Sequence, residues 1–388
     1  MVKAVGIDPG TMSMDIFGFD DETDEVIVDM SIPRDKITEN PSIVIDVLRE
    51  INEKHGGIDA IVGPCGYGIP LKKACETQDW EIMLATFVSE EDVRRRLKII
   101  GLRELMLLMK QSKDLNIWFT PGVIHLPTVP EFRKVNRIDL GTADKVYTVI
   151  AAVRDHAEYY NISYSEVSII AVEVGFAYTA AIAVDKGKIV DGIGGTISWP
   201  GFLGMGFMDS ELAYALANAY PYFSKILLFR GGIADIAGVD PKKISLDEFV
   251  KLTKVNDKVR KAYNAMIEFI LKDIATLLVS VRKPKEILLS GRFTRVKGFI
   301  EDLMFSIKKF LLDYGLETNV RTIRRRAKIA KEGAEGAAIL ANGIAGGKYR
   351  ELIETMELFK SSGTIFDYIK LDSDIKRKIV ELFTGKHR

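Results

Sequence analysis

The chain has 388 residues, with 54 basic side chains against 54 acidic ones and a sequence pI of about 6.9. That balance argues against bulk electrostatic binding to nucleic acid or an anionic membrane, and no uncharged apolar run reaches the roughly 18–20 residues of a membrane span. Two cysteines, Cys65 and Cys75, cannot build a disulfide framework, so a cytoplasmic chain with two lobes of ordinary domain size is expected.

The first strand, Val2 to Ile7, ends at Asp8 and has no cleavage signal before it. A glycine turn leads to a second strand at Met14–Phe19, a polar turn at Asp20–Asp24 and a third strand at Glu25–Ile32. Apolar spacing at Ile43, Val44, Val47, Leu48 and Ile51 predicts a helix over 41–54. Ile58–Val62 reads as a strand opening into the breaker-rich loop Gly63-Pro64-Cys65-Gly66-Tyr67-Gly68. A capping box at Ser89-x-x-Asp92 starts a charged amphipathic helix over 89–112. The strand Leu115–Phe119 meets Pro121-Gly122, a proline-containing loop fills 122–140, and 142–160 is helical.

The same order then restarts. Val167–Val172 is a strand ending at Glu173, followed by a glycine, a strand at Ala177–Val184, a turn at Asp185-Lys186-Gly187 and a strand at Lys188–Val190. A glycine-rich loop, Asp191–Gly206, leads to helices around 209–219 and 256–281. The strand Glu286–Leu289 ends in Ser290-Gly291-Arg292 and precedes a helix at 294–314. Small residues dominate a helix at 330–346, and 348–388 reads as two charged helices. An offset of 165 residues lays Asp8-x-Gly10 on Glu173-x-Gly175 and Asp20 on Asp185, in register across two strands. One such match is weak; the repeated context points to duplication.

Two hairpin-opened α/β halves resemble the superfamily of actin, the heat-shock chaperone ATPase, sugar kinases and acetate kinases. Its first phosphate motif is similar to Gly6-Ile7-Asp8-Pro9-Gly10-Thr11-Met12-Ser13-Met14-Asp15, and its second to Val172-Glu173-Val174-Gly175-Phe176-Ala177-Tyr178-Thr179. The adenosine motif resembles Ile287-Leu288-Leu289-Ser290-Gly291-Arg292, and the hinge helix resembles Gly333-Ala334-Glu335-Gly336-Ala337-Ala338. The resemblance implies two duplicated actin-like (ribonuclease H-like) lobes, 1–160 and 161–347. Each opens with a three-stranded antiparallel hairpin sheet, a cleft lies between them, and the 348–388 helices pack back on the first lobe. It also implies ATP and Mg²⁺.

Within the superfamily, Asp59-Ala60-Ile61-Val62-Gly63 with Gly66, and the run from Gly175 to Asp191 and Asp209, are similar to butyrate kinases. The run from Arg133 to Lys145 looks like the signature of an uncharacterised archaeal family grouped with them. Three places depart from the butyrate kinase pattern. Pro64 stands where those enzymes carry an Arg, Thr120 where they carry an Asp, and only Gly175 remains of their second phosphate loop.

Phosphoryl transfer needs alignment and charge neutralisation more than covalent chemistry. Gly10 lets backbone N–H groups approach phosphate oxygens, with Thr11 and Ser13 adding hydroxyls; Gly175 and Thr179 hold the matching places in the second motif. Asp8 is placed to hold Mg²⁺, and Glu173 to orient a nucleophile or share the metal shell, unless both merely close hairpin turns. Gly291 and Arg292 suit adenine and ribose; the alternative is an ordinary strand-to-helix loop. Gly333 and Gly336 either approach ribose or pack the hinge helix closely.

For the acceptor, Arg137 is the candidate ligand for a carboxylate or γ-phosphate and Asp139 the candidate general base or metal ligand, with Thr142, Asp144 and Lys145 beside them. The structural alternative makes Thr142 or Asp144 a helix cap and Arg133, Lys134 and Arg137 a solvated face. Gly201-x-x-Gly204-x-Gly206 reads as a mobile loop over the cleft, and Arg324-Arg325-Arg326 as a solvated turn. The sequence thus points to an ATP-dependent kinase for a small carboxylic acid or hydroxyl compound. A nucleotide-switched regulatory ATPase is the alternative, and a transient carboxyl-phosphorylating activator a third reading. The expected partner is a small-molecule acceptor, with a homodimer as a further expectation and no nucleic acid or membrane.

Overall fold

The computed structural model describes residues 1–94, 100–220 and 222–385. The middle of the helix expected over 89–112, residues 95–99, lies outside them, as do 386–388. Three antiparallel strands open the chain, β1 (Lys3–Pro9), β2 (Ser13–Asp20) and β3 (Val26–Pro33), with Asp8 opposite Asp15 and Ser13 opposite Pro33. Helices α1 (Arg34–Glu39) and α2 (Ser42–Lys54) lead to β4 (Ala60–Val62), which lies parallel to β1 on its other side. Then follow β5 (Lys72–Lys73), α3 (Asp79–Thr86), α4 (Glu90–Arg94), α5 (Ile100–Gln111), β6 (Ile117–Phe119), α6 (Glu131–Lys134) and α7 (Ala143–Tyr160). The Ser89 box is present: Ser89 Oγ accepts from the Asp92 N–H at 3.1 Å.

The second hairpin set is β7 (Ile169–Val174), β8 (Thr179–Asp185) and β9 (Lys188–Ile193). After it come α8 (Ser210–Ala219), α9 (Ile233–Ala237), α10 (Leu246–Leu252), α11 (Asp257–Leu277), β10 (Glu286–Ser290), α12 (Lys297–Asp313) and β11 (Asn319–Thr322). The chain ends in α13 (Glu332–Ile344), α14 (Arg350–Thr355) and α15 (Ser373–Thr384). Among the described residues the first sheet runs β3-β2-β1-β4-β6-β5 and the second β11-β10-β7-β8-β9. Both are mixed, with an antiparallel hairpin set followed by parallel strands.

Two compact units form. One is Met1–Val167 with Lys186–Asp191 and Arg324–Arg388; the other is Ser168–Asp185 with Gly192–Ile323. The sequence reading drew its divisions at 160 and 347. The compact units are drawn differently because 324–347 belongs to the first, where α13 lies on β1 and α7. In the same unit α15 packs on α3, with the Phe383 and Phe87 rings 4.1 Å apart.

Close approach explains the small-residue composition of α13. A Cβ on Gly6 of β1 would fall 2.1 Å from the Ala338 nitrogen, and one on Gly336 would fall 1.8 Å from the Tyr147 carbonyl oxygen of α7. The segment leading into α13 is exposed at Arg324 and Arg325, as a solvated turn is, but it is also pinned by ion pairs. Arg324 pairs with buried Asp155 at 2.6 Å, Arg326 with Asp24 at 3.1 Å, and Arg325 lies 3.9 Å from Glu332. The Asp29 carboxylate accepts from the Lys328, Ile329 and Ala330 N–H groups at 2.6–3.2 Å, a capping geometry that fixes the approach to the helix.

The glycine-rich segment of the second unit is likewise packed, not a mobile loop. A Cβ on Gly204 would stand 2.0 Å from Tyr178 Cε1, and Gly195 and Gly201 press on the same tyrosine, whose hydroxyl donates to the Leu228 carbonyl at 2.6 Å. Among the described residues no helix is long and apolar enough to cross a membrane.

Candidate functional site

Two carboxylates flanking the β1–β2 turn meet one lysine, and two hydroxyls support one of them. Asp8 ends β1 almost buried, and its Oδ2 lies 2.5 Å from Lys331 Nζ. Asp15, opposite it on β2, accepts from the Lys331 backbone N–H at 3.1 Å, and its Oδ2 is 3.9 Å from the same ammonium. Ser13 and Ser31 donate to the other Asp15 oxygen at 2.8 and 2.6 Å. The two glycines expected to admit a ligand make room for this pair. A Cβ on Gly10 would fall 2.4 Å from Lys331 Nζ, and one on Gly333 would fall 2.9 Å from Asp8 Oδ2. Thr11 is exposed at the tip of the turn.

A second cluster in the same unit lies at the head of α7 and makes no side-chain capping hydrogen bond to it. Thr142 is its N-cap, and its hydroxyl donates to Asp144 Oδ1 at 2.5 Å while Lys145 Nζ donates to Asp144 Oδ2 at 2.7 Å. Burial alone would push the Asp144 carboxyl up. The Lys145 ammonium, the Thr142 hydroxyl and the Lys331 charge hold it below the ordinary carboxylate range.

The remaining acceptor candidates are not gathered there as expected. Arg137 is exposed. Asp139 is buried, and its Oδ1 accepts from the Gly141 N–H at 3.2 Å, which holds the Gly141 turn at φ +135°. That turn abuts two other loops: the Gly141 carbonyl accepts from Val123, and the Gly66 carbonyl accepts from Ala143. Of the basic cluster only Arg137 is on a solvated face; Arg133 and Lys134 are engaged. Lys134 is buried and donates to the Leu126 carbonyl at 2.7 Å, and Arg133 Nη1 donates to the Val190 carbonyl at 2.7 Å. Pro64 and Thr120 are buried, and Thr120 Oγ1 meets the Tyr147 hydroxyl at 2.5 Å, which donates in turn to the Gly63 carbonyl at 2.9 Å.

In the second unit Glu173 is half-buried at the end of β7, between Ala180 of β8 and Ser290 of β10. Gly175 closes the turn by donating its N–H to the Tyr178 carbonyl at 3.0 Å, and Thr179 is buried opposite Val174. Gly291 has φ +95°, and a Cβ there would fall 2.5 Å from the Val174 carbonyl oxygen, so the Ser290-Gly291-Arg292 loop crosses the end of β7. Thus the structure brings the second acid-x-glycine turn and the adenosine-like loop together. Arg292 is half-buried beside them.

Asp8, the expected Mg²⁺ ligand, is engaged by Lys331, whose ammonium already supplies the positive charge at that carboxylate. Those two groups do not fit a metal ion bound directly at Asp8 Oδ2, and among the described residues no group of three or more His, Cys, Asp or Glu side chains is arranged to hold one. Both ammoniums are already paired, Lys331 with Asp8 and Lys145 with Asp144, so the cations of this cluster are offset by carboxylates. Sequence reasoning missed Lys331, which lies 323 positions from Asp8, and Arg34, which follows β3 directly and shows no motif.

A family model described as "Protein of unknown function (DUF1464)" matches residues 6–371. None of the curated proteins compared with the chain matches it. Among solved structures, a propionate kinase from Francisella tularensis subsp. tularensis SCHU S4 is 13% identical with a TM-score of 0.59, over 87% of this chain and 98% of that one. The acetate kinase of Porphyromonas gingivalis is 13% identical with a TM-score of 0.54, over 87% and 98%. The acetate kinase of Entamoeba histolytica is 12% identical with a TM-score of 0.54, over 80% and 87%. At these identities the likeness establishes the fold, the two-lobed actin-like α/β architecture, and nothing about substrate.

Proposed function

We propose that this chain, which belongs to the family described as protein of unknown function (DUF1464), is an ATP-dependent phosphotransferase acting on a small carboxylic acid or hydroxyl compound. The observation that carries the reading is the Asp8-x-Gly10 turn closed on Lys331, in the same unit as the Asp144–Lys145 pair at the head of α7. Phosphoryl transfer is catalysed chiefly by positioning and by preorganised charge, and in this reading the turn contributes a glycine-opened backbone and a lysine held in place by two carboxylates. In the reaction an acceptor oxygen bonds to the γ-phosphorus while the bond to the β,γ-bridging oxygen breaks, and ADP leaves with the electron pair.

In this reading Thr11 donates to a phosphate oxygen from the exposed tip of the turn, while Lys331 neutralises charge from beneath. Asp8 and Asp15 fix the lysine, so they are positioning residues. Asp139 positions the Gly141 turn instead of serving as the base. The Glu173–Gly175 turn and the Gly291-Arg292 loop are the proposed nucleoside-facing groups of the second unit. Butyrate is not favoured over other acids, because the buried Pro64 and Thr120 stand where butyrate kinases carry an anion-binding Arg and an Asp.

A nucleotide-switched regulatory ATPase is the second reading, favoured by the engagement of Asp8 with a lysine in place of a metal. Incubation with labelled ATP and a panel of short-chain acids and sugars separates the two. Transfer of label to a panel member supports the kinase, and slow hydrolysis alone supports the switch. Calorimetry that detects no adenine nucleotide binding sinks both.

A further inference from the structure

Arg34 is the first residue of α1, directly after β3. Ser13 pairs with Pro33, and the Arg34 N–H donates to the Met12 carbonyl at 3.0 Å. Residue 34 therefore lies beside the turn between β1 and β2, whose Thr11 and Met12 face solvent. Arg34 as a whole is half-buried, but the Nη1 atom of its guanidinium is fully buried, and among the described residues nothing accepts a hydrogen bond from that atom. Burial pushes the guanidinium down from its ordinary value, and no described carboxylate offsets that effect. Two lysines of the same unit differ in this respect: Lys331 has Asp8, and Lys145 has Asp144.

A buried charge left without a partner destabilises the fold that holds it, and such costs are retained where an external group completes the pair. The guanidinium fork matches planar and tetrahedral oxyanions, where an ammonium is only a point charge. We propose that Arg34 is an oxyanion-binding residue: its guanidinium takes a carboxylate or phosphoryl group of the ligand held at the Asp8-x-Gly10 turn. The identity of that ligand rests on the kinase reading above; the unpartnered Nη1 does not.

The test is calorimetric titration of the full chain with ATP, inorganic phosphate, acetate and butyrate, each alone, for wild type, Arg34→Met and Arg34→Lys. The methionine variant is expected to lose about 10- to 100-fold in affinity for at least one probe, with the lysine variant between it and wild type. Without ligand, the methionine variant is expected to melt no lower than wild type, because it removes an uncompensated charge. Loss confined to acetate or butyrate assigns the group to an acceptor carboxylate, and loss confined to ATP or phosphate assigns it to a phosphoryl group. Unchanged affinity for every probe overturns the inference, as does a methionine variant that melts lower without ligand, which marks a structural arginine. A wild type that binds phosphate or a carboxylate through Arg34 but not ATP keeps the inference and removes the kinase reading. A wild type that binds none of the four overturns both.

Discussion

Asp273 of α11 is a carboxyl group in a place where ionisation is costly. It is buried, and Ser198 Oγ donates to its Oδ2 at 2.6 Å from the packed segment after β9. Burial pushes this carboxyl up to about 7, against the pull of the Ser198 hydroxyl and the Trp199 N–H. The nearest cation on its own helix, Lys272, lies over the Trp199 ring at 4.3 Å and does not pair with it. A folded-state pKa above the unfolded one means that the native state binds the extra proton. Its contribution to stability is complete below about pH 4, falls by about 1.4 kcal/mol per pH unit as pH rises, and is gone above about pH 7. Asp273→Asn is expected to remove that slope. Urea unfolding of both proteins between pH 5 and 8 checks it, and parallel pH profiles would refute the assignment. Nothing in the sequence marked Asp273, because burial of a single helical carboxylate depends on what the glycine-rich segment packs against.

At the scale of elements, α13 decides more than any strand. Gly336 faces the α7 backbone, and an added methyl would overlap the Tyr147 carbonyl oxygen, an atom that cannot swing aside. Gly336→Ala gains about 1 kcal/mol of helix propensity but is expected to lose more through overpacking, about 1–3 kcal/mol plus displacement of α7. Gly298→Ala in α12 is the control, since its nearest neighbour is a Val250 methyl at 3.3 Å. Chemical denaturation should show the first variant less stable than wild type and the second not. Equal stability of all three proteins counts against a tight α13–α7 contact. The small residues of 330–346 were legible as a close-approach signal, though not their partners. The hairpins were legible because strand alternation and glycine turns are local, whereas the Lys331–Asp8 pair joins opposite ends of the chain and leaves no local trace.

At the scale of the molecule, the two sheets repeat one order, β3-β2-β1-β4-β6 and β9-β8-β7-β10-β11, which gives the offset between Asp8 and Glu173 its physical meaning. The duplication does not divide the chain evenly. The first unit is assembled from separate stretches and takes α13 from beyond residue 323, while the second lies within 168–323 and leaves out only 186–191. A fragment spanning 168–323 carries β7 to β11 and the helices that cover them, so it is expected to unfold cooperatively on its own. A fragment ending at Ile323 keeps the strands of the first unit but loses α13, exposing the faces of β1 and α7 that the helix buries. Its first unit is therefore expected to lack a cooperative transition, with only that of the second remaining. Calorimetric scans of both fragments decide the matter. Two transitions in the fragment ending at Ile323, or none in 168–323, would show that the long-range return of the chain is not what completes the first unit, and with it the lysine that closes the Asp8 turn.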